Sequence, residues 1–312
     1  MRPIIIIAGP TAVGKTDLAI RLAQDLKTEI ISADSMQVYK YLDIGTAKPT
    51  ASEQRQAKHH LIDIVEPDQN FSVADYQRLF DQKIADFNNA DQIPLVAGGT
   101  GLYIRACIQQ FALDNPADPD WNFREQLKQL AASKGSTYLH DQLATIDPEA
   151  AGRIHPNDLF RIIRALEVYH KTGTPISKLQ YQKEFKYPSI FIFLNRDREE
   201  LYRRIELRVD LMITEGLIDE VAGLLKMGYS PELKPMKGLG YQQICDYLAG
   251  KISKDEAISL IKQKTRNYAK RQITWFKKEP IDLIVNLSEK REDFYYQILK
   301  YIEGRLNSVS NR

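Results

Sequence analysis

Ile4-Ile5-Ile6-Ile7-Ala8-Gly9-Pro10-Thr11-Ala12-Val13-Gly14-Lys15-Thr16-Asp17-Leu18 is the stretch on which the fold turns. Its first five residues are apolar on both alternating faces, the mark of a strand buried from two sides in a parallel sheet. The run is too short for a signal peptide and passes straight into a glycine loop. Gly9 to Thr16 fits G-x-x-x-x-G-K-[ST], and residues 17–26 continue with leucines at 18, 22 and 26, one face of a helix. A strand, a glycine loop and a helix N-terminus together make a phosphate cradle: backbone N–H groups turn inward and the helix end adds positive potential. Lys15 supplies a point charge for the outer phosphates, and the Thr16 hydroxyl suits a Mg2+ ligand. A bare glycine turn is the structural alternative.

Outward from this loop, β-branched apolar runs recur at 4–8, 29–33, 60–65, 93–97 and 189–194, and helix-like stretches separate the first four. The alternation predicts an α/β fold, a P-loop parallel sheet flanked by helices. Strand signal disappears between Leu113 and Pro188, and the turn-rich segment 114–120 opens that interval. It reads as an inserted all-helical subdomain at 113–187. Residues 1–112 and 188–312 then form the core, with a helical C-terminal part.

Composition is that of a globular chain, 43% hydrophobic and 27% charged over 312 residues. No apolar run reaches the roughly eighteen residues a membrane helix needs, so no membrane association is expected. Cys107 and Cys245 lack partners at metal-binding spacing and read as buried thiols in a cytoplasmic protein. The net charge is only +2, but nine Lys/Arg against three acids fall within residues 251–280. Such a local excess is either a polyanion-facing stripe or a solvated helix face.

A phosphate cradle does not name a reaction. Nucleotide hydrolysis needs an acid at the end of a neighbouring strand. The run 93–97 ends instead in Gly98-Gly99-Thr100-Gly101. Asp34, closing the second strand, is the carboxylate best placed at the carboxyl edge, where open α/β sheets bind ligands; a helix cap is its alternative role. Asp63 lies inside the expected third strand.

Several segments, in order, resemble the bacterial form of the tRNA dimethylallyltransferase family. They are Gly9–Thr16, Ser32-Ala33-Asp34-Ser35-Met36-Gln37-Val38-Tyr39, Asp43-Ile44-Gly45-Thr46-Ala47-Lys48-Pro49, His59-His60-Leu61-Ile62-Asp63 and Gly98-Gly99-Thr100-Gly101-Leu102-Tyr103. Further on, Arg161 to Val168, Gly216 to Val221, Gly238-Leu239-Gly240-Tyr241 and Thr265 to Phe276 extend it, so that it covers about residues 3–280.

The resemblance implies transfer of a dimethylallyl group from dimethylallyl diphosphate to N6 of the adenine 3′ of the anticodon, tRNA position 37, in tRNAs reading codons that begin with U. Diphosphate is the leaving group, which accounts for a P-loop without phosphoryl transfer. Gly9, Pro10, Thr11, Ala12, Val13, Gly14, Lys15 and Thr16 fall on the donor segment, with Mg2+ at Thr16. The adenine amino lone pair is delocalised, so a base must take its proton, and Asp34 matches that position. Ser35, Met36 and Gln37 would surround the base, and Thr100 falls at a second polar contact. Arg208 aligns with a diphosphate-binding arginine; Arg204 stands four residues before it on the same helix face, and Asp197 with Glu200 reads as that helix's capping pair.

For the tRNA anticodon stem-loop, the resemblance points to Arg124, Phe160, Arg161, Ile162, Ile163 and Arg164 in the insertion, and to Gly240 and Tyr241. Arg266 and Lys270, with Lys262, form the basic stripe. Tyr241 is either a stacking platform for an unpaired base or a core residue. A monomer is expected. The rivals are an ATP-dependent small-molecule kinase, a prenyltransferase acting on free adenine nucleotide, and a non-catalytic RNA-binding protein. None of them needs both Asp34 and the basic stripe.

Overall fold

The computed structural model describes residues 2–109, 120–179, 185–289 and 294–310. The chain divides into two compact units, residues 1–108 with 187–312, and residues 109–186. The first begins with β1 (Ile4–Ala8), α1 (Lys15–Asp25), β2 (Ile30–Ala33), α2 (Ala51–Gln56), β3 (His59–His60), α3 (Val73–Asn89), β4 (Leu95–Gly98) and α4 (Gly101–Ile108). The second holds α5 (Trp121–Lys134), α6 (Ser136–Ile146), α7 (Pro148–Arg153), α8 (Leu159–Thr172) and α9 (Ile176–Leu179). The first unit resumes with β5 (Ser189–Asn195), α10 (Arg198–Thr214), α11 (Leu217–Lys226), α12 (Tyr241–Leu248), α13 (Lys254–Phe276), β6 (Leu283–Asn286) and α14 (Phe294–Ser310). The architecture is thus an α/β parallel sheet with an inserted helical subdomain. Most of the segment 114–120 lies outside the described residues.

The six strands run in the order β3-β2-β4-β1-β5-β6, and every pair is parallel. β1 lies at the centre, and all five of its residues are fully buried. Ile4, Ile6 and Ala8 face a core that holds Phe80, Phe191 and Phe276. Ile5 and Ile7 face the opposite one, with Leu18, Leu22 and Ile298. Helices cover both faces, so each isoleucine contributes about 1.5–3 kcal/mol of burial. The register sets the site: Ala8 and Ala33 both pair with Gly98, so Gly9, Asp34 and Gly99 leave three adjacent strands side by side at the carboxyl edge.

The third strand is shorter than expected. It stops at His60, because Leu61 and Asp63 take left-handed backbone conformations at φ 60° and 54°. Asp63 therefore lies in a turn, where it pairs with Lys48. β6 is absent from the sequence reading; its burial pattern is intermediate rather than alternating, as an edge strand allows. At the start of α10, Asp197 occupies the N-cap without a side-chain capping bond. Glu200 instead accepts from Arg196 and Ser288, so the expected capping pair does not form.

The helical unit has its own core of Leu127, Leu139, Leu143, Ile162, Ile163 and Leu166. Asp158 caps α8 through the Arg161 N–H, and Gly173 closes it at φ 65°. Within this unit Glu167 is fully buried. Arg124 grips its carboxylate at 2.7 and 2.8 Å, Arg164 at 2.6 Å, and the Asp120 N–H at 2.8 Å. These donors hold the Glu167 carboxyl below its ordinary pKa despite the opposing effect of burial. A buried charge stays only when paired in this way.

Candidate active site

α1 opens at Gly14, whose φ of 108° is a left-handed conformation that a side chain would strain. Ala12 in the same loop has φ 64° without being glycine, and outside groups fix the loop there. Arg204 donates to the Ala12 carbonyl at 2.9 Å and Arg196 to the Val13 carbonyl at 3.0 Å. Arg204 thus braces the loop and lines the larger cavity beside it, and Arg208, one turn on, lines both that cavity and the smaller one that holds Asp34.

Lys15 folds back over its own loop, donating to the carbonyls of Gly9 at 3.0 Å and Pro10 at 2.9 Å. Burial, then the nearby Arg208 charge, brings its pKa down to about 7; Asp34 pulls the other way. Arg208 is itself lowered by burial and by Arg204. These cations are short of counter-charge, and an anion would supply it.

Asp34 sits across the same cavity, which has a volume of about 80 Å³ and is also lined by Thr11, Thr16, Gln37, Tyr268 and Gln272. Its Oδ1 accepts from the N–H groups of Met36 at 2.9 Å and Gln37 at 3.4 Å. Those bonds and Lys15 favour the carboxylate, but burial outweighs them and the Asp34 pKa is raised. Thr100 Oγ1 accepts from the Ser35 N–H at 3.0 Å, which ties β4's end to the Asp34 turn. Both ends of the Gln37 amide are engaged inside the protein. Oε1 accepts from Ser32, and Nε2 donates to the Thr46 and Ala47 carbonyls at 3.3 and 3.2 Å. A second cavity, about 510 Å³, adjoins the first at Gly14, Lys15, Thr16 and Arg208.

None of the residues expected to contact tRNA in the insertion or on α12 and α13 is among those lining this cavity. Tyr241 is fully buried, and its hydroxyl donates to Glu220 at 2.6 Å beneath Gly45. It is a core residue, and its ring has no free face for a base. Glu220 in turn accepts from the N–H groups of Asp43, Ile44 and Gly45, so Tyr241 helps shape the loop 43–49. Gly240, at φ 93°, only starts α12. Ile162 and Ile163 point into the helical core, and Arg124 and Arg164 are committed to Glu167. On that helix Phe160 and Arg161 face outward, Phe160 at 76% exposure. In the basic stripe, Lys262 pairs with Asp210 and Arg266 with Glu206, both on α10, while Lys270 is exposed. Tyr268 and Gln272 were legible only as part of the 265–276 motif. Nothing in their spacing says that α13 passes over the phosphate loop.

The fold and site define a P-loop protein whose lysine shares one cavity with a half-buried carboxylate. The chain belongs to the IPP transferase family, whose model matches residues 37–279. It is 51% identical over 294 residues to tRNA dimethylallyltransferase 2 of Geotalea uraniireducens, covering 93% of each chain. Among solved structures it is similar to the tRNA isopentenylpyrophosphate transferase of Bacillus halodurans. That match has 41% identity and a TM-score of 0.76, and covers 100% of this chain and 99% of the other. A eukaryotic dimethylallyltransferase acting on tRNA superposes with a TM-score of 0.83 at 28% identity, covering 100% of this chain and 80% of the other.

Proposed function

We propose that this chain transfers the dimethylallyl group of dimethylallyl diphosphate to N6 of the adenosine at position 37 of tRNA. The observation that carries the proposal is the single cavity in which Lys15 and Arg208 face Asp34. Two basic groups short of counter-charge suit a diphosphate leaving group, whose charge grows as the carbon–oxygen bond breaks. Asp34, with Oδ1 held by two backbone N–H groups, offers its other oxygen to the N6 proton. A raised pKa makes it a stronger base than an exposed carboxylate. Thr100 and Ser35 hold that turn in place.

The donor set near Thr16 fits Mg2+. That ion takes few protein ligands and completes its shell with substrate phosphates and water. Among the described residues no group of three or more His, Cys, Asp or Glu forms a metal cage. Thr16 would hold the ion, which neutralises diphosphate charge when bound.

Exposed Phe160, Arg161 and Lys270 are the residues best presented to the anticodon stem-loop. Among the described residues no helix is long and apolar enough to cross a membrane, and we place the activity in the cytoplasm with its substrate.

Incubating the protein with Mg2+, radiolabelled dimethylallyl diphosphate and unmodified tRNA, with free AMP and ATP in parallel, tests this. Label in a prenylated adenosine of tRNA is the expected result. Label confined to free nucleotide, or none anywhere, would overturn the assignment.

A further inference from the structure

We infer that Gln272, on α13, is a positioning residue that sets the distance between the leaving-group cradle and the catalytic base. Its side chain is almost wholly buried, at 6% exposure. Oε1 accepts from the Thr11 N–H at 2.9 Å, and Nε2 donates to the Gly99 carbonyl at 2.9 Å. One amide therefore bridges two loops more than eighty residues apart in sequence. Thr11 belongs to the loop that carries Lys15. Gly99 precedes Thr100, whose hydroxyl accepts from Ser35 beside Asp34.

Two features show that the bridge is built for an amide. A Cβ on Gly99 would lie 2.4 Å from Gln272 Nε2, so residue 99 leaves room for this group. A primary amide also supplies the one acceptor and the donor that the two loops need from a single planar group. α13 is otherwise anchored by Phe276 in the core and by Trp275 against Gly101. The helix is thus a rigid bar, and Gln272 is the point where it holds both loops. Transfer depends on in-line placement of the donor carbon between diphosphate and amine, and a misplacement near 1 Å costs about a hundredfold in rate. Although Gln272 lines the cavity, its amide is spent on Thr11 and Gly99, and it acts through them.

The inference rests on the prenyl-transfer reading for its kinetic test but not for its structural one. Gln272→Met keeps length and removes both hydrogen bonds. The expected result is a kcat about 10–100-fold lower, with KM for dimethylallyl diphosphate and for tRNA each within about threefold of wild type. Gln272→Glu keeps the acceptor for Thr11 and regains a donor for Gly99 only when protonated. Its kcat relative to wild type should therefore climb as pH falls. An unchanged kcat in the Met variant, or a loss confined to KM for the donor, overturns the inference. So does a pH-independent ratio in the Glu variant, which also serves if the Met variant does not fold.

Amide exchange at Thr11 is independent of the reaction: it should quicken at least about tenfold in Gln272→Met, which removes the acceptor, and stay near wild type in Gln272→Glu, which keeps it; unchanged exchange in the Met variant refutes the bridge. A wild-type protein that transfers no prenyl group sinks the functional reading alone, leaving the exchange result to decide this one.

Discussion

Lys15 should take up a proton when the donor binds. Burial and Arg208 place its pKa at about 7 in the free protein. At pH 8 only about a tenth of free chains carry the charge, whereas a bound diphosphate restores it; binding then takes up about 0.9 proton per chain. At pH 6 Lys15 is already about nine-tenths charged, and its uptake falls to about 0.1. Donor affinity should be flat below pH 7 and weaken about tenfold, or ~1.4 kcal/mol, for each unit above it. Isothermal calorimetry with dimethylallyl diphosphate in two buffers of different ionisation enthalpy measures the uptake directly. Lys15→Met should abolish it. Equal uptake at pH 6 and 8, or uptake that survives in Lys15→Met, would refute the reasoning. The same shift has a stability consequence. The folded pKa lies below the unfolded value of 10.5, so the cost of burying the charge is complete below pH 7. It disappears as pH rises towards 10, and Lys15→Met should stabilise the free protein most at acid pH.

Four further outcomes follow from the structure. Asp34→Asn should lower kcat by about 10²–10⁴-fold while leaving tRNA affinity near wild type, as single-turnover and filter-binding assays would show; retained turnover would dismiss Asp34 as the base. Wild-type kcat should rise with pH through the raised pKa of Asp34, above the ordinary carboxylate range, since the ionised form is the active one. For tRNA binding, Lys270→Ala should weaken affinity and lower the salt slope by about 0.7–0.9, whereas Arg266→Ala, whose guanidinium already pairs with Glu206, should do less; equal effects would mean that the ion pair opens on binding. Tyr241→Phe should cost about 1–3 kcal/mol in urea unfolding, because Glu220 loses a buried partner, with tRNA affinity unchanged; a tRNA defect without a stability loss would restore the stacking role.

What the sequence determined by itself was local in origin. The buried strand, the glycine loop and the leucine-spaced helix each follow from neighbours in the chain, and together they dictated a parallel sheet with a phosphate cradle at its edge. Asp34 was legible because a strand's end is a local property and parallel sheets gather such ends on one side. The partners of charged side chains were not, because a spacing of three or four residues reports a shared helix face and not what lies opposite it. Only the tertiary structure showed Arg124 reaching Glu167 and Arg266 turning to Glu206. It alone placed Tyr241 under Gly45 and laid Gln272 across the phosphate loop. Those contacts join residues tens to hundreds of positions apart, and their energy depends on which buried groups the folded chain leaves in need of a partner.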